Sequence, residues 1–245
     1  MMALHILFFQ LCVCVIAFPI HILALLGLWE PMAKKWMPFL LDRMTNTYNK
    51  YMREHKKQLF SNMSDFKGPS GELKVLELGC GTGANFQFYP SGCTVTCVDP
   101  NPNFKKYLSK SLAENDHVHF QDFLIAPGEI MPQVASGSMD VVICTLVLCS
   151  VDNIEGILAE IRRVLKPGGA YYFLEHVTAN PSSWNYFFQI ILDPTWKYIG
   201  DGCKLTKETW KYLEKANFSQ VKLRHIIAPF NWNPVKPHIV GYAVK

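Results

Sequence analysis

The stretch Val75-Leu76-Glu77-Leu78-Gly79-Cys80-Gly81-Thr82-Gly83 decides the fold. An apolar run that ends in alternating glycines reads as a strand entering a tight turn, where the missing side chains let backbone approach a ligand closely. Asp99 closes the next apolar run, about 20 residues further on, where a carboxylate can accept hydrogen bonds from ribose hydroxyls. Strand, glycine turn, helix, strand and acid together describe a nucleoside site at the C-terminal edge of a sheet. Gly79-x-Gly81-x-x-Ala84 also satisfies the relaxed dinucleotide fingerprint, which is a weak signal by itself. Glu77 and Gly83 decide against a dinucleotide. An acid two positions before the first glycine meets a pyrophosphate unfavourably but can receive a cationic ammonium group. S-adenosylmethionine has that ammonium and no phosphate.

Outward from this turn, apolar runs alternate with helical spacing, the pattern of an α/β fold with a parallel sheet and covering helices. Strands are expected over residues 73–78, 94–98, 119–125, 139–145 and 170–175, with two more over 221–227 and 239–244. Helical spacing covers 154–165 and stops at Lys166-Pro167-Gly168-Gly169. A second helix is expected over 207–216, with Thr206 as its N-cap. Residues 44–60 form a further candidate helix, with Tyr48, Met52, His55 and Leu59 on one face. Gly68-Pro69-Ser70-Gly71 is a strong breaker and marks a boundary.

Residues 1–29 contain no Asp, Glu, Lys or Arg, a stretch longer than the roughly 20 residues a helix needs to cross a hydrocarbon core. A cleaved signal peptide would open on a basic region and close on a small-x-small site, and neither is present in convincing form. The stretch reads as a hydrophobic membrane anchor. Pro19 and Gly27 interrupt it, which allows a kinked span, a re-entrant hairpin or an interfacial helix. Lys34, Lys35 and Arg43 follow, so the remainder is expected in the cytosol. The sequons at Asn62 and Asn217 should then carry no sugar. The organisation is therefore an anchor over residues 1–29, an amphipathic helical linker over 30–70 and a catalytic domain over 71–245.

The net charge of +4 arises from scattered lysines without a basic stripe, which excludes a nucleic-acid binder. Eight cysteines in 245 residues do not form a disulfide framework, and reduced thiols are expected. Neither Cys93-x-x-x-Cys97 nor Cys144-x-x-x-x-Cys149 has partners at zinc spacing, so no metal site is expected. Cys149 reads as a packed thiol, and no obligate protein partner is evident.

The glycine turn, Cys97-Val98-Asp99-Pro100, Asp140-Val141-Val142 and Arg163-Val164-Leu165-Lys166-Pro167-Gly168-Gly169 resemble a class I S-adenosylmethionine-dependent methyltransferase over roughly residues 73–176. With the apolar leader, Phe88-Tyr89-Pro90, residues 144–150 and the terminal Gly241-Tyr242-Ala243-Val244-Lys245, the chain further resembles the methyltransferase-like 7 group nearly end to end. That resemblance implies a Rossmann-like seven-stranded, mostly parallel sheet. It also implies methyl transfer to small lipophilic thiols, including xenobiotic thiols or hydrogen sulfide, at the endoplasmic reticulum membrane and on lipid droplets. Laid on matching positions, Glu77, Gly79, Gly81 and Gly83 would hold the methionine moiety and Asp99 the ribose. Pro100 and Asn101 would lie against the adenine, and Thr145 and Leu146 would line the sulfonium side. Many class I enzymes carry an Asp after strand three. Here Ala126-Pro127-Gly128-Glu129 stands in its place, which leaves Gly128 backbone or Glu129 for the adenine.

A thiol near pKa 8.5 is a few per cent ionised at neutral pH, so a strong general base is optional. His176, after the fifth strand, is the acid–base candidate, against a structural bond to a loop carbonyl. Glu175 beside it orients the imidazole or caps a loop. The aromatic run over residues 184–196 is either a lid over an apolar substrate or a helix packed on the sheet. A lipid, quinone or amine acceptor, or a scaffold that keeps a cofactor pocket, are the alternative functions.

Overall fold

The computed structural model describes residues 2–229 and 234–245; Met1, the first residue of the apolar stretch, lies outside them. The strands are β1 (Lys74–Leu78), β2 (Thr94–Val98), β3 (His119–Leu124), β4 (Met139–Thr145), β5 (Leu165–His176), β6 (Gln220–Ile227) and β7 (Pro237–Val244). They form one seven-stranded sheet in the order β3-β2-β1-β4-β5-β7-β6. All the pairings are parallel except those of β7, which runs antiparallel to both its neighbours. The expected mostly parallel seven-stranded sheet is therefore present. Its chain order reverses between β1 and β4, and ligands of such sheets bind beyond the strands' C-terminal ends at that point.

Two apolar layers cover the sheet. Helix α5 (Ile154–Val164) and helix α7 (Thr209–Lys215) close one face, with Ile157, Ile161 and Leu213 against Leu76, Val142 and Phe173. Asn153 caps α5 by accepting from the Gly156 N–H at 2.8 Å. On the other face, helix α4 (Lys105–Glu114) contributes Leu108 beside Val75, Val95 and Ile143. Buried Asp140 ties strand starts together, accepting from the Lys74 N–H at 2.9 Å and pairing with Lys166 Nζ at 2.5 Å.

No α-helix lies between the glycine turn and β2, where one was expected. A single 3-10 turn, Phe86–Phe88, stands there, because Pro90 and Gly92 end any helix within a few residues of Gly83. The vacant slot is filled by α3 (Trp29–Phe60) from the N-terminal side. Met52, Leu59 and Phe60 are buried against Phe86, Tyr89 and Cys93, while Arg53, Glu54 and Lys57 stay exposed. The Phe60 ring lies 5.5 Å from Tyr89 and 6.0 Å from Tyr172, centroid to centroid.

Two boundaries also differ. Helix α7 starts at Thr209 behind Glu208, and Thr206 does not cap it: its hydroxyl donates to Asp193 Oδ2 at 3.3 Å instead. Strand β5 starts at Leu165 and takes in the Lys166–Gly169 run, with a register shift against β4 between Met139 and Val141.

The apolar leader is not one helix. Helices α1 (Met2–Ile16) and α2 (Phe18–Leu25) meet at 70° around Ala17, with Pro19 in the first turn of α2. Among the described residues no single helix is long and apolar enough to cross a membrane, although the bent pair together is. Helix α1 packs on α6 (Trp184–Ile199): Phe9 meets Phe187 at 6.1 Å, and Gln10 Nε2 donates to the Ile190 carbonyl at 2.9 Å. The aromatic run is thus an amphipathic helix that turns Gln189, Ile191 and Thr195 inward and leaves Trp184 exposed.

Removing the Phe60 ring should leave a cavity where α3 meets the sheet. Phe60→Ala is expected to lower stability by about 3–5 kcal/mol, measured by denaturant unfolding in detergent. A loss under 1 kcal/mol would show that α3 is not anchored through this ring.

Candidate active site

The glycine turn hangs from β2: the Gly79 N–H donates to the Val98 carbonyl at 2.8 Å. Gly79, Gly81 and Gly83 all have left-handed backbone, with φ of 59°, 51° and 75°. A side chain on Gly79 would collide with Val147, and one on Gly83 would meet the Phe86 ring, so both positions require glycine. Asp99 is buried at the end of β2. Its Oδ2 accepts from the Gly81 N–H at 3.1 Å and its Oδ1 from the Asn101 N–H at 2.9 Å. Burial raises its pKa to about 6, against the pull of these two backbone donors. Asn101 is buried and donates to the Lys34 carbonyl of α3 at 2.9 Å, while Pro100 is exposed. Gly128 lies on the loop after β3, close to Ile157 and the Leu78 side chain that ends β1, and Glu129 beside it is half-buried.

Glu77 is buried to 2% exposure beneath the turn. Its Oε1 accepts from Asn85 Nδ2 at 2.7 Å, and Asn85 also donates to Thr145 Oγ1 at 3.0 Å. Lys56 of α3 reaches into the same place, donating from Nζ to Asn85 Oδ1 and Asn49 Oδ1, each at 2.7 Å. Asn49 donates in turn to the Ala84 carbonyl at 2.7 Å. Burial raises Glu77 to about 7, with Asn85, the Tyr89 hydroxyl and the Lys56 charge opposing it, and burial lowers Lys56 to about 7. The second carboxylate oxygen of Glu77 makes no well-formed hydrogen bond, and the buried Tyr89 hydroxyl beside it is the nearest donor the protein offers. Sequence reasoning missed Asn49, Lys56 and Asn85. The available signal was a lysine between Met52 and Leu59 on the apolar face of a helix.

Thr145 ends β4 beside this network, and Leu146 follows it. Leu146 has φ of +59°, a strained conformation for a branched residue, and donates its N–H to the Leu174 carbonyl at 2.9 Å. Glu175 holds the following turn: its Oε1 accepts from the Val147 N–H at 3.0 Å. It therefore caps a loop rather than orienting the imidazole. His176 is buried, with Nε2 2.7 Å from Cys203 Sγ and Nδ1 unpartnered, so it is not poised on open space as a free base. Burial alone would lower its pKa, but Cys149, Glu175 and Asp193 outweigh that and raise it. Its bond partner is a thiol, not the loop carbonyl that was the alternative.

On β7, His238 donates from Nδ1 to the Lys236 carbonyl at 3.0 Å and faces the Tyr48 hydroxyl at Nε2, 3.3 Å away. Burial lowers its pKa to about 3, so the ring is neutral. A carbonyl can only accept, so the proton sits on Nδ1 and Nε2 takes the tyrosine O–H. A cavity of about 480 Å³ opens beside His238, lined by Thr178, Asn180, Trp184, His225 and Ile227. It lies on the β5–β7–β6 side, away from the glycine turn.

Comparisons with known proteins agree with this geometry. Residues 76–173 match the family model described as a methyltransferase domain. The chain is 62% identical over 220 residues to thiol S-methyltransferase TMT1A of Homo sapiens, covering 90% of each chain. It is 56% identical to thiol S-methyltransferase TMT1B of Rattus norvegicus, covering 96% of this chain and 97% of that one. Among solved structures, a geranyl diphosphate methyltransferase in complex with SAM shares the fold, with a TM-score of 0.54 at 15% identity over 77% of this chain and 84% of that one.

Glu77 yields a test of the site. An ammonium group bound at its free oxygen lowers its pKa from about 7, so ligand binding expels a proton and tightens as pH rises through 7. Calorimetry of S-adenosylhomocysteine binding at pH 7, in buffers of different ionisation enthalpy, should show roughly half a proton more released by wild type than by Glu77→Gln. Equal release by the two proteins would remove Glu77 from the ligand site.

Proposed function

Because the chain belongs to the thiol S-methyltransferase group of the class I S-adenosylmethionine-dependent methyltransferases, we propose that it methylates the sulfur of small lipophilic thiols at a membrane surface. The observation that carries the cofactor is the unpartnered, buried oxygen of Glu77 beneath three left-handed glycines. An ammonium group satisfies that oxygen, and the residues present fit S-adenosylmethionine. Bound there, the cofactor supplies a methyl group on a sulfonium, whose carbon–sulfur bond breaks as the acceptor's carbon–sulfur bond forms.

The chain's own residues do the positioning. Asp99 accepts the ribose hydroxyls, Asn101 and the Gly128–Glu129 loop border the adenine, and Lys56 balances the carboxylate charge under the turn. Thr145 and Leu146 hold the reacting end, with Glu175 keeping their turn rigid through the Val147 N–H. Such alignment of nucleophile, methyl and leaving sulfur is proximity catalysis. Burial of the site by α3 keeps water from competing.

Attachment to the endoplasmic reticulum membrane and lipid droplets, with the catalytic domain in the cytosol, is part of the same proposal. Leu4, Leu7, Leu11, Ile16, Phe18 and Leu25 are all exposed on the bent α1–α2 pair, an apolar surface far beyond what a soluble monomer leaves bare. Lys34 and Lys35 follow at the start of α3. The 70° bend suits a re-entrant or in-plane anchor.

Detergent-solubilised protein given methyl-labelled S-adenosylmethionine and a panel of thiols, alcohols and amines should place label on sulfur. Asp99→Ala should weaken cofactor binding at least about 100-fold, from two charge-assisted hydrogen bonds of about 1.5–3 kcal/mol each. Label on oxygen or nitrogen alone would move the acceptor to a lipid, quinone or amine. In cells, glycosidase treatment should leave the protein's mobility unchanged; a shift traced to Asn62 or Asn217 would place the domain on the lumenal side.

A further inference from the structure

Cys149, His176 and Cys203 stand 27 residues apart in each interval of the sequence, and the fold brings them together. Cys149 lies in the turn after β4, His176 ends β5 and Cys203 sits in the loop after α6. Their Sγ atoms and imidazole nitrogen all lie within 4.8 Å of one another, and all three residues are buried. Among the described residues this is the one cluster of its kind. We propose that it binds a zinc ion through two thiolates and one imidazole, with the fourth position left for the acceptor thiol.

The donor set is chemically matched to zinc. Two cysteines and a histidine with one position open is the composition of a catalytic rather than a structural zinc site, and two thiolates neutralise the dication within a buried volume. Magnesium and calcium take oxygen donors, and the cluster has none. Zinc bond lengths of about 2.0–2.3 Å put nitrogen and sulfur about 3.5 Å apart in a tetrahedron. The His176 Nε2–Cys203 Sγ pair, now at 2.7 Å, opens by less than an ångström to admit the ion. A supporting shell is already present, for Trp196 Nε1 donates to Cys203 Sγ at 3.2 Å, as donors around metal-bound thiolates do.

The placement gives the site a purpose. Cys149 Sγ lies 3.6 Å from the carbonyl of Leu146, the residue that follows β4 at the cofactor's reacting end. A thiol bound at the fourth position loses its proton to solvent and is held as thiolate without a general base. Its sulfur lone pair then forms the bond to the methyl carbon, and the neutral thioether leaves as a poor ligand. No oxidant or reductant is needed. This inference rests on the thiol-methyltransferase reading for the identity of the acceptor.

The test uses the full chain in detergent. Metal analysis should find about one zinc per chain in wild type and less than roughly a tenth of that in Cys149→Ser and Cys203→Ser. Trp196→Phe, a milder change, should weaken zinc affinity about 10–100-fold with the fold retained by circular dichroism. After cobalt replacement, wild type should show tetrahedral visible bands and a thiolate-to-cobalt band that grows when benzyl mercaptan is added with S-adenosylhomocysteine. Protein that neither carries nor takes up zinc, a Cys149–Cys203 disulfide in its place, or a cobalt spectrum blind to the thiol would each overturn the proposal. Metal-free wild type that methylates thiols at full rate would also overturn it and leave the thiol-methyltransferase reading standing. Loaded protein that binds the thiol at cobalt but labels no thiol would instead remove that reading.

Discussion

A carboxylate on the central strand of a sheet cannot be left dry and unpaired, and Glu77 imposes that condition on the rest of the molecule. It stands next to the last residue of β1, under the turn that the cofactor must approach, so water cannot be its permanent partner. Asn85 answers one oxygen, and Lys56 answers Asn85. Lys56 belongs to α3, so a helix that precedes the sheet in the chain is fastened to the centre of the site by a buried polar chain. The cost of burying these groups is met only while the chain is complete. One carboxylate oxygen is still open, and that vacancy is matched to a ligand cation.

The same logic recurs two strands over, across β4. Glu175 is buried at the end of β5 and spends its hydrogen bonds on the backbone of the turn after β4. That turn contains Leu146 in a left-handed conformation, which a branched side chain adopts only when the surroundings compel it. Two buried acids at the C-terminal ends of the strands that flank β4 therefore have different work. On the proposed reading Glu77 would face the cofactor, whereas Glu175 holds rigid the backbone of the turn after β4.

The sheet was legible in the sequence because buried parallel strands are continuous apolar runs punctuated by glycine. β2 and β4 have the expected bounds, and the turn residues that the motif singled out, with Asp99, do converge. What escaped was long-range. The slot on the same face as α4 looked like room for a helix after the glycine turn, yet that helix comes from residues before the domain boundary. Nothing local in Lys56 announces that it will be dry. Likewise, cysteines read at zinc spacing could not reveal a group whose members come from three different loops and strand ends. Pro19 in the apolar leader was a legible break, and the pair of helices it separates is what folding produces.

Helix α6 joins the candidate site to the exposed apolar surface of α1 and α2. One side of it receives α1 through Phe187 and the Ile190 carbonyl, at the base of the exposed apolar surface. Its inner side uses Gln189 to hold the exit of β5, accepting from the Ala179 N–H and donating to the Val177 carbonyl. Its last turn supplies Trp196 to Cys203. A lipophilic thiol is concentrated in a bilayer by the same burial of apolar surface that drives folding. On the proposed membrane attachment, the helix that carries α1 on one side and borders the Cys149–His176–Cys203 group on the other would link that phase to the reacting sulfur. On the same proposal, the packing of α1 on α6 would also fix which side of the catalytic domain faces the acceptor's own phase.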